Sequence, residues 1–451
     1  MAGAFIATRL QRLRLTGTSA LALSTVITNL VRLISTVVLT RLLAPDVYGI
    51  TGIIMSVFYA INMVTDIGLQ AYVVRHSRSD EDSFLDAVYT IHAIRGVGLS
   101  LVAIASAWPL SLLLGKPEIL APLAVSSLVF ILDGHVSLHQ FRALRGGRVQ
   151  RFAMISLITG VTQTLSAIAL AFVFRNVWAI VGSLFVGKAT RVWVSYSLFG
   201  GSRHKFRFDK VIAADLWRFS RVVGLSSALT LVITQLDKLA LGRILTLPEF
   251  GVYIIASSLA SAPVGFALTY ASTIVYPAIA SAWRNGSSLG DAYYRCWGRF
   301  FYLYAFAAGG LIGGSGLLVA ILYDDRYQAA GKYLAVLAIS TAFAIVTGPM
   351  QDSQVASGRQ RAAIEFNALR LFWLGIGAAV ALARSDAMIL ILTLGLLEVP
   401  VYCYGLLKMT RLQQIRWRRE FTFLAAVFAG LVIGWAAKIE AFKLFPHLQP
   451  A

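Results

Sequence analysis

The chain has 451 residues, 58% of them hydrophobic and only 14% charged, and its 40 Lys and Arg against 21 Asp and Glu give a formal net charge of +19. That composition excludes an ordinary water-soluble protein of two or three domains, and no polar stretch is long enough for an appended soluble domain. A charge of +19 would suggest nucleic acid, but the basic residues collect in alternate short segments between apolar runs, which argues against it.

The apolar runs number about thirteen: 17–43, 49–72, 86–114, 119–141, 152–174, 177–199, 217–242, 251–274, 299–322, 330–351, 363–383, 387–407 and 421–437. About 20 apolar residues in a helix cross a ~30 Å hydrocarbon core, and a helix satisfies its own backbone polar groups there. The chain therefore reads as an all-α integral membrane protein. Its first run follows arginines, as a signal peptide would, but extends from Gly17 to Leu43 without a small-residue cleavage site, so it reads as a retained span. Counted from a cytoplasmic N-terminus, one set of span ends carries Arg9, Arg12, Arg14, Arg75, Arg78, Arg142, Arg145, Arg203, Lys205, Arg207, Arg359 and Arg361, among others. The alternate loops, before the last run, carry only Arg41, Lys116, Arg175, Arg243, Arg326, Lys332 and Arg384. This asymmetry places the N-terminus and the loops with Arg145, Lys205 and Arg359 inside. Trp108, Trp178, Trp283, Trp297 and Tyr323 fall at span ends and read as interface anchors. Cys296 and Cys403 are the only cysteines and are not expected to pair.

An internal repeat organises the spans. Arg41-Leu-Leu-Ala-Pro-Asp-Val-Tyr-Gly49 closes the first and Arg243-Ile-Leu-Thr-Leu-Pro-Glu-Phe-Gly251 the seventh, with the same Arg-to-Gly spacing. A weaker echo links Gly147-Arg148-Val-Gln-Arg151 to Gly358-Arg359-Gln-Arg361. Six spans separate the copies, an even number, so the halves share one orientation and form a parallel repeat. The expected architecture is two six-helix lobes related by parallel pseudo-symmetry. Residues 1–205 form the N-terminal lobe with its linker, 206–410 the C-terminal lobe, and 411–451 a basic inner loop and an extra C-terminal helix. If that thirteenth segment crosses, Lys438 and Lys443 lie outside; if it re-enters, they lie inside.

With these two lobes, the Arg-Leu-Leu-x-Pro-x-x-Tyr-Gly turn and the seventh-span sequence Gln235-Leu-Asp237-Lys238-Leu-Ala-Leu-Gly-Arg243, the chain resembles the polysaccharide transporter family. These are Wzx-type lipid-linked oligosaccharide flippases of the multidrug/oligosaccharidyl-lipid/polysaccharide exporter superfamily. The likeness covers about residues 15–410; the final span departs from a common twelve-span core. It implies a V-shaped cavity between lobes, alternating access, and an undecaprenyl-diphosphate-linked glycan as substrate. It implies a bacterial inner-membrane location in exopolysaccharide, O-antigen or capsule synthesis, with a polysaccharide polymerase and chain-length machinery as partners.

The residues that could carry such work are charges inside spans, which are costly there and usually face a cavity or a partner. Arg32, Arg95, Lys188 and Arg191 lie in the N-terminal half, with Arg370 in the C-terminal half, and these five are the candidate substrate-binding cations. Arginine suits phosphate because its planar fork binds two oxygens at once. Asp66, Asp133, Asp237 and Glu398 are the candidates for gating or for coupling to H+ or Na+; the first two are equally candidate salt-bridge partners for the arginines. Pro263 and Pro400 are candidate hinges. His135 and His139 stand four residues apart without a third metal ligand, and no phosphate-loop motif occurs, so no enzyme site, metal or other cofactor is expected. The competing functions are a multidrug cation antiporter, which would want acidic cavities, and a membrane-embedded glycosyltransferase or polymerase, which would want catalytic acids and large outer loops.

Overall fold

The computed structural model describes residues 31, 34–65, 68–146, 149–199, 203–359 and 361–446, all of it helix, turn and irregular chain. Two of the candidate site residues, Arg32 and Asp66, lie outside the described residues. The chain divides into two compact units, Met1–Leu231 and Val232–Ala451. Eleven described helical segments are long and apolar enough to cross a membrane.

The first unit begins with α1 (34–42) and α2 (Pro45–Val64). Their junction is the Arg41–Gly49 motif: Ala44 is extended, and Pro45 enters the first turn of α2, where its missing N–H costs nothing. The second copy of the motif does the same work. There α10 (Lys210–Ile244) ends, and α11 (Leu247–Tyr270) starts on a capping box in which Thr246 and Glu249 satisfy each other's backbone N–H.

After α3 (Leu69–Arg75), the helix α4 (Asp82–Leu114) runs for 33 residues. The sequence reads 119–141 as one span, but the structure breaks it into α5 (Leu120–Ser127), α6 (Val129–Gly134) and α7 (His139–Arg145). Ser126 and Ser127 both donate to the Leu123 carbonyl, at 3.1 and 2.6 Å, and so compete with the helix ladder. Then α8 (Val149–Phe174) and α9 (Val177–Ser197) lead to an extended linker, residues 203–209. Tyr72, Phe84, Val88, Leu138, Ile212 and Leu216 share one buried core, so the start of α10 belongs to this unit.

In the second unit, α11 passes through Pro263 without interruption, and the irregularity falls later, in a π-helical segment Ala271–Val275 ahead of α12 (Tyr276–Arg284). Next come α13 (Leu289–Arg295), α14 (Arg299–Leu322), α15 (Ala330–Ala356) and α16 (Arg361–Arg384). The twelfth predicted span is split into α17 (Ala387–Gly395) and α18 (Glu398–Arg411). Pro400 has no N–H to return to the Leu396 carbonyl, and the helix breaks there.

The thirteenth segment is α19 (Trp417–Leu444), 28 residues and roughly 42 Å at 1.5 Å per residue, long enough to cross. It lies on α14 through glycines. Gly309 and Gly313 face the carbonyls of Val427 and Leu431, and Gly430 faces that of Phe306, so close that a Cβ at any of them would collide with backbone. At its foot Glu420, almost fully buried, accepts hydroxyl hydrogen bonds from Tyr294 and Tyr402, each at 2.6 Å. Trp297 and Tyr323, expected at the interface, are instead core: Trp297 stacks on Phe301 at 4.1 Å, and both residues are buried. Trp108, Trp178 and Trp283 are exposed.

Candidate functional site

The first unit gathers charge where α4, α6 and α9 meet. Gly96 and Gly134 let α4 and α6 cross closely; a Cβ at Gly134 would stand 3.1 Å from the His92 carbonyl. The crossing puts His92 Nε2 3.1 Å from the Asp133 carbonyl oxygen, while His92 Nδ1 is buried with no hydrogen-bond partner. One turn on, Arg95 donates to the Thr65 carbonyl at 3.0 Å and to its hydroxyl at 3.2 Å.

Lys188 and Arg191, one turn apart on α9, approach from the other side. Lys188 Nζ donates to Asp133 Oδ1 at 2.5 Å, an ion pair whose side chains keep 32% and 27% of their exposure. Arg191 is left less satisfied: its Nε is buried without a hydrogen-bond partner. Asp133, Arg95 and Arg191 are all within Coulombic range of His92. Three cations thus converge near one described carboxylate, and that carboxylate is already engaged. A buried N–H with nothing to donate to is unfavourable in apolar surroundings. An anion with several acceptor oxygens would relieve it, and phosphate matches both the charge and the fork of arginine.

In the second unit, two candidates of opposite sign turn out to be partners. Arg370 grips Glu398 with both arms of its guanidinium, Nε–Oε1 at 2.8 Å and Nη2–Oε2 at 2.9 Å. Its remaining nitrogen donates to Gln351 at 2.9 Å and Asn367 at 3.1 Å. With side chains only 13% and 12% exposed, the pair is nearly closed to solvent. Asp237 stands apart from it. Tyr253 donates to its Oδ2 at 2.6 Å, and its Oδ1 is buried with no hydrogen-bond partner. His135 and His139 diverge: a ring nitrogen of His135 lies 2.7 Å from the Ile131 carbonyl, and His139 stacks on His204 at 4.6 Å.

The sequence reading missed His92, although its place one turn before Arg95 on the same face would have found it. It also missed Glu420, which follows Arg416, Arg418 and Arg419 and so reads as one more charge of a solvated loop, and His204, which reads as one more residue of a basic linker.

A family model described as "Polysaccharide biosynthesis protein" matches residues 38–332. The chain belongs to this family. Its relatives include the amylovoran biosynthesis protein AmsL of Erwinia amylovora, 20% identical, with 84% of this chain aligned to 97% of that protein. The lipopolysaccharide biosynthesis protein WzxC of Escherichia coli (strain K12) is 23% identical over 84% of this chain and 77% of its own. The succinoglycan biosynthesis transport protein ExoT of Rhizobium meliloti (strain 1021) is 24% identical over 53% and 48%. Among solved structures, the lipid II flippase MurJ in an inward closed conformation superposes with a TM-score of 0.74 at 11% identity, covering 95% of both chains. An inward-facing multidrug resistance transporter of the MATE family gives 0.62 at 14% identity, over 89% of this chain and 99% of that one. At such identities the structural likeness speaks for the fold: this family member is a multi-pass, all-helical membrane protein with the architecture of those transporters.

Proposed function

We propose that this protein is a transporter, not an enzyme, and that it flips a lipid-linked oligosaccharide across the membrane by alternating access. The observation that carries the reading is the cluster of Arg95, Lys188, Arg191 and His92 around one engaged carboxylate, Asp133, among the described residues of the first unit. Membership of a polysaccharide biosynthesis family, with relatives named for lipopolysaccharide biosynthesis and for succinoglycan biosynthesis transport, supports the choice of cargo. The diphosphate of an undecaprenyl-linked glycan would meet the cations while its polyprenyl chain stays in lipid, so the polar headgroup never crosses hydrocarbon unaided. In the bacterial inner membrane, with the arginine-rich loops cytoplasmic, an inside-negative potential favours outward movement of an anion by ~2.3 kcal/mol per charge per 100 mV. Asp237, held by the Tyr253 hydroxyl and by no ion pair among the described residues, is the candidate for coupling to H+ or Na+. A polymerase and chain-length machinery would take up the product. A multidrug cation antiporter is the weaker reading, because the half-buried cluster carries the wrong sign.

The test is translocation in proteoliposomes loaded with an undecaprenyl-diphosphate-linked oligosaccharide, read as the fraction that becomes accessible to an external glycosidase. Arg191→Ala is expected to insert normally and lose most translocation, and Arg191→Lys to recover only part, since it restores charge without the fork. Full translocation by Arg191→Ala would remove the headgroup role.

A further inference from the structure

The second unit contains a cavity of about 750 Å³ between α14, α15 and α19, which the proposed transport does not use. Glycines create it. Gly313, Gly316 and Gly331 lie on its wall, and a Cβ at Gly331 would come within 2.9 Å of Gly316 Cα, so the start of α15 rests directly on α14. Leu431, Trp435 and Phe442 of α19 supply an apolar side.

Two lysines also line the cavity. Lys332 adjoins the Gly331 contact, and Lys438 lays its stem over α14, where a Cβ at Gly316 would be 3.4 Å from Lys438 Cδ. Lys188, Lys408 and Lys443 each have a carboxylate partner, but neither lysine of the cavity is in an ion pair among the described residues. The acid on the wall, Asp325, accepts a hydrogen bond from Gln328 at 2.6 Å. The positive-inside rule does not account for these cations: Lys332 belongs to the loops that carry few basic residues, yet it meets Lys438 here.

An apolar wall with two unpaired ammonium groups is complementary to an amphiphile with a phosphate head. We propose that this cavity binds an anionic phospholipid of the surrounding leaflet, its phosphate against Lys332 and Lys438 and the upper part of an acyl chain along Leu431, Trp435 and Phe442.

Native mass spectrometry and thermal melting of the purified full chain in detergent test this, with phosphatidylglycerol and phosphatidylcholine as probes. Phosphatidylglycerol is expected to bind more tightly and to raise the melting temperature. Lys332→Gln/Lys438→Gln should weaken that binding roughly 30-fold, taking two lysine–phosphate attractions as lost, while phosphatidylcholine binding stays unchanged. Equal binding of the two lipids to the unmodified protein, a comparison that needs no variant, overturns the proposal. So does undiminished phosphatidylglycerol binding by the double variant. Displacement of phosphatidylglycerol by a lower concentration of undecaprenyl phosphate would reassign the cavity to the polyprenyl carrier and overturn the proposed occupant.

Discussion

Lys188 and Arg191 sit one turn apart, yet their surroundings differ, and the difference is measurable. Lys188 is committed to Asp133 at 2.5 Å. Lys188→Met alone should cost Asp133 its hydrogen-bonded partner and lower stability by about 1–3 kcal/mol, read as a loss of melting temperature in detergent. Adding Asp133→Asn should return most of that stability. If Lys188 also touches phosphate, the double variant will be stable and still fail to translocate; recovery of both properties would make the pair purely structural. The sequence could nominate these residues because a charge in an apolar run is conspicuous. It could not pair them, since Lys188–Asp133 and Arg370–Glu398 join residues 55 and 28 positions apart. Arg370, nominated as a cavity cation, is enclosed by Glu398, Gln351 and Asn367, a pairing that only the packing of α15, α16 and α18 reveals.

Among the elements, the linker and the last helix depend most on single contacts. The His204 side chain is only 1% exposed, between Tyr89 at 4.8 Å and His139 at 4.6 Å. Its Nε2 accepts the Leu138 N–H at 3.1 Å, so Nδ1 carries the proton and faces Asp86 at 3.3 Å. Burial, and after it the neighbouring His139, lower the His204 pKa from its usual value, despite the opposing pull of Asp86 and Asp82. A depressed pKa means that the folded linker favours the neutral ring. Its contribution is complete above the unfolded value, about 6.5, and is lost as pH falls through the lower folded one. Limited proteolysis at residues 203–209 should therefore quicken on acidification below about pH 6. A His204→Gln variant should lose that pH dependence; an unchanged acid response would assign it elsewhere. On the last helix, Gly430→Leu should push α19 off the Phe306 carbonyl, costing about 1–3 kcal/mol or more, whereas Gly375→Leu, with nothing within 4 Å of a Cβ, should leave the melting temperature unchanged. The positions of eleven of the thirteen expected spans are readable from hydropathy alone. The breaks at Leu128 and Leu396 are not, because serine back-bonding and a missing proline N–H act through hydrogen bonds that an apolar average does not register.

At the scale of the whole molecule, topology is the statement most exposed to test. In a background free of Cys296 and Cys403, single cysteines at position 324 should react with an impermeant maleimide applied to intact cells, and those at position 145 should not. The reverse pattern would invert the orientation. Arg145 holds the His76 carbonyl at 2.7 Å, so Gly146, exposed beside it, is the gentler site for the inner label. The fold class follows from composition, because the bilayer imposes a single period on the chain; of the thirteen expected spans, eleven have counterparts among the described helices that are long and apolar enough to cross. The boundary between compact units falls at Leu231, inside α10, and not at the linker, since Ile212 and Leu216 bury themselves in the first unit before the helix continues into the second.

The glycine seam between α14 and α19 also sets an order of events during synthesis. Roughly 100 residues separate the end of α14 from the start of α19, about 5–20 s of translation at 5–20 residues per second. For that interval a helix lined by Gly309, Gly310, Gly313 and Gly314 sits in the nascent chain without the surface it is shaped to receive. The second unit can complete its packing only when α19 leaves the ribosome, so arrest of translation before Trp417 would hand the membrane's quality-control proteases a chain that lacks its last span and whose core is still open.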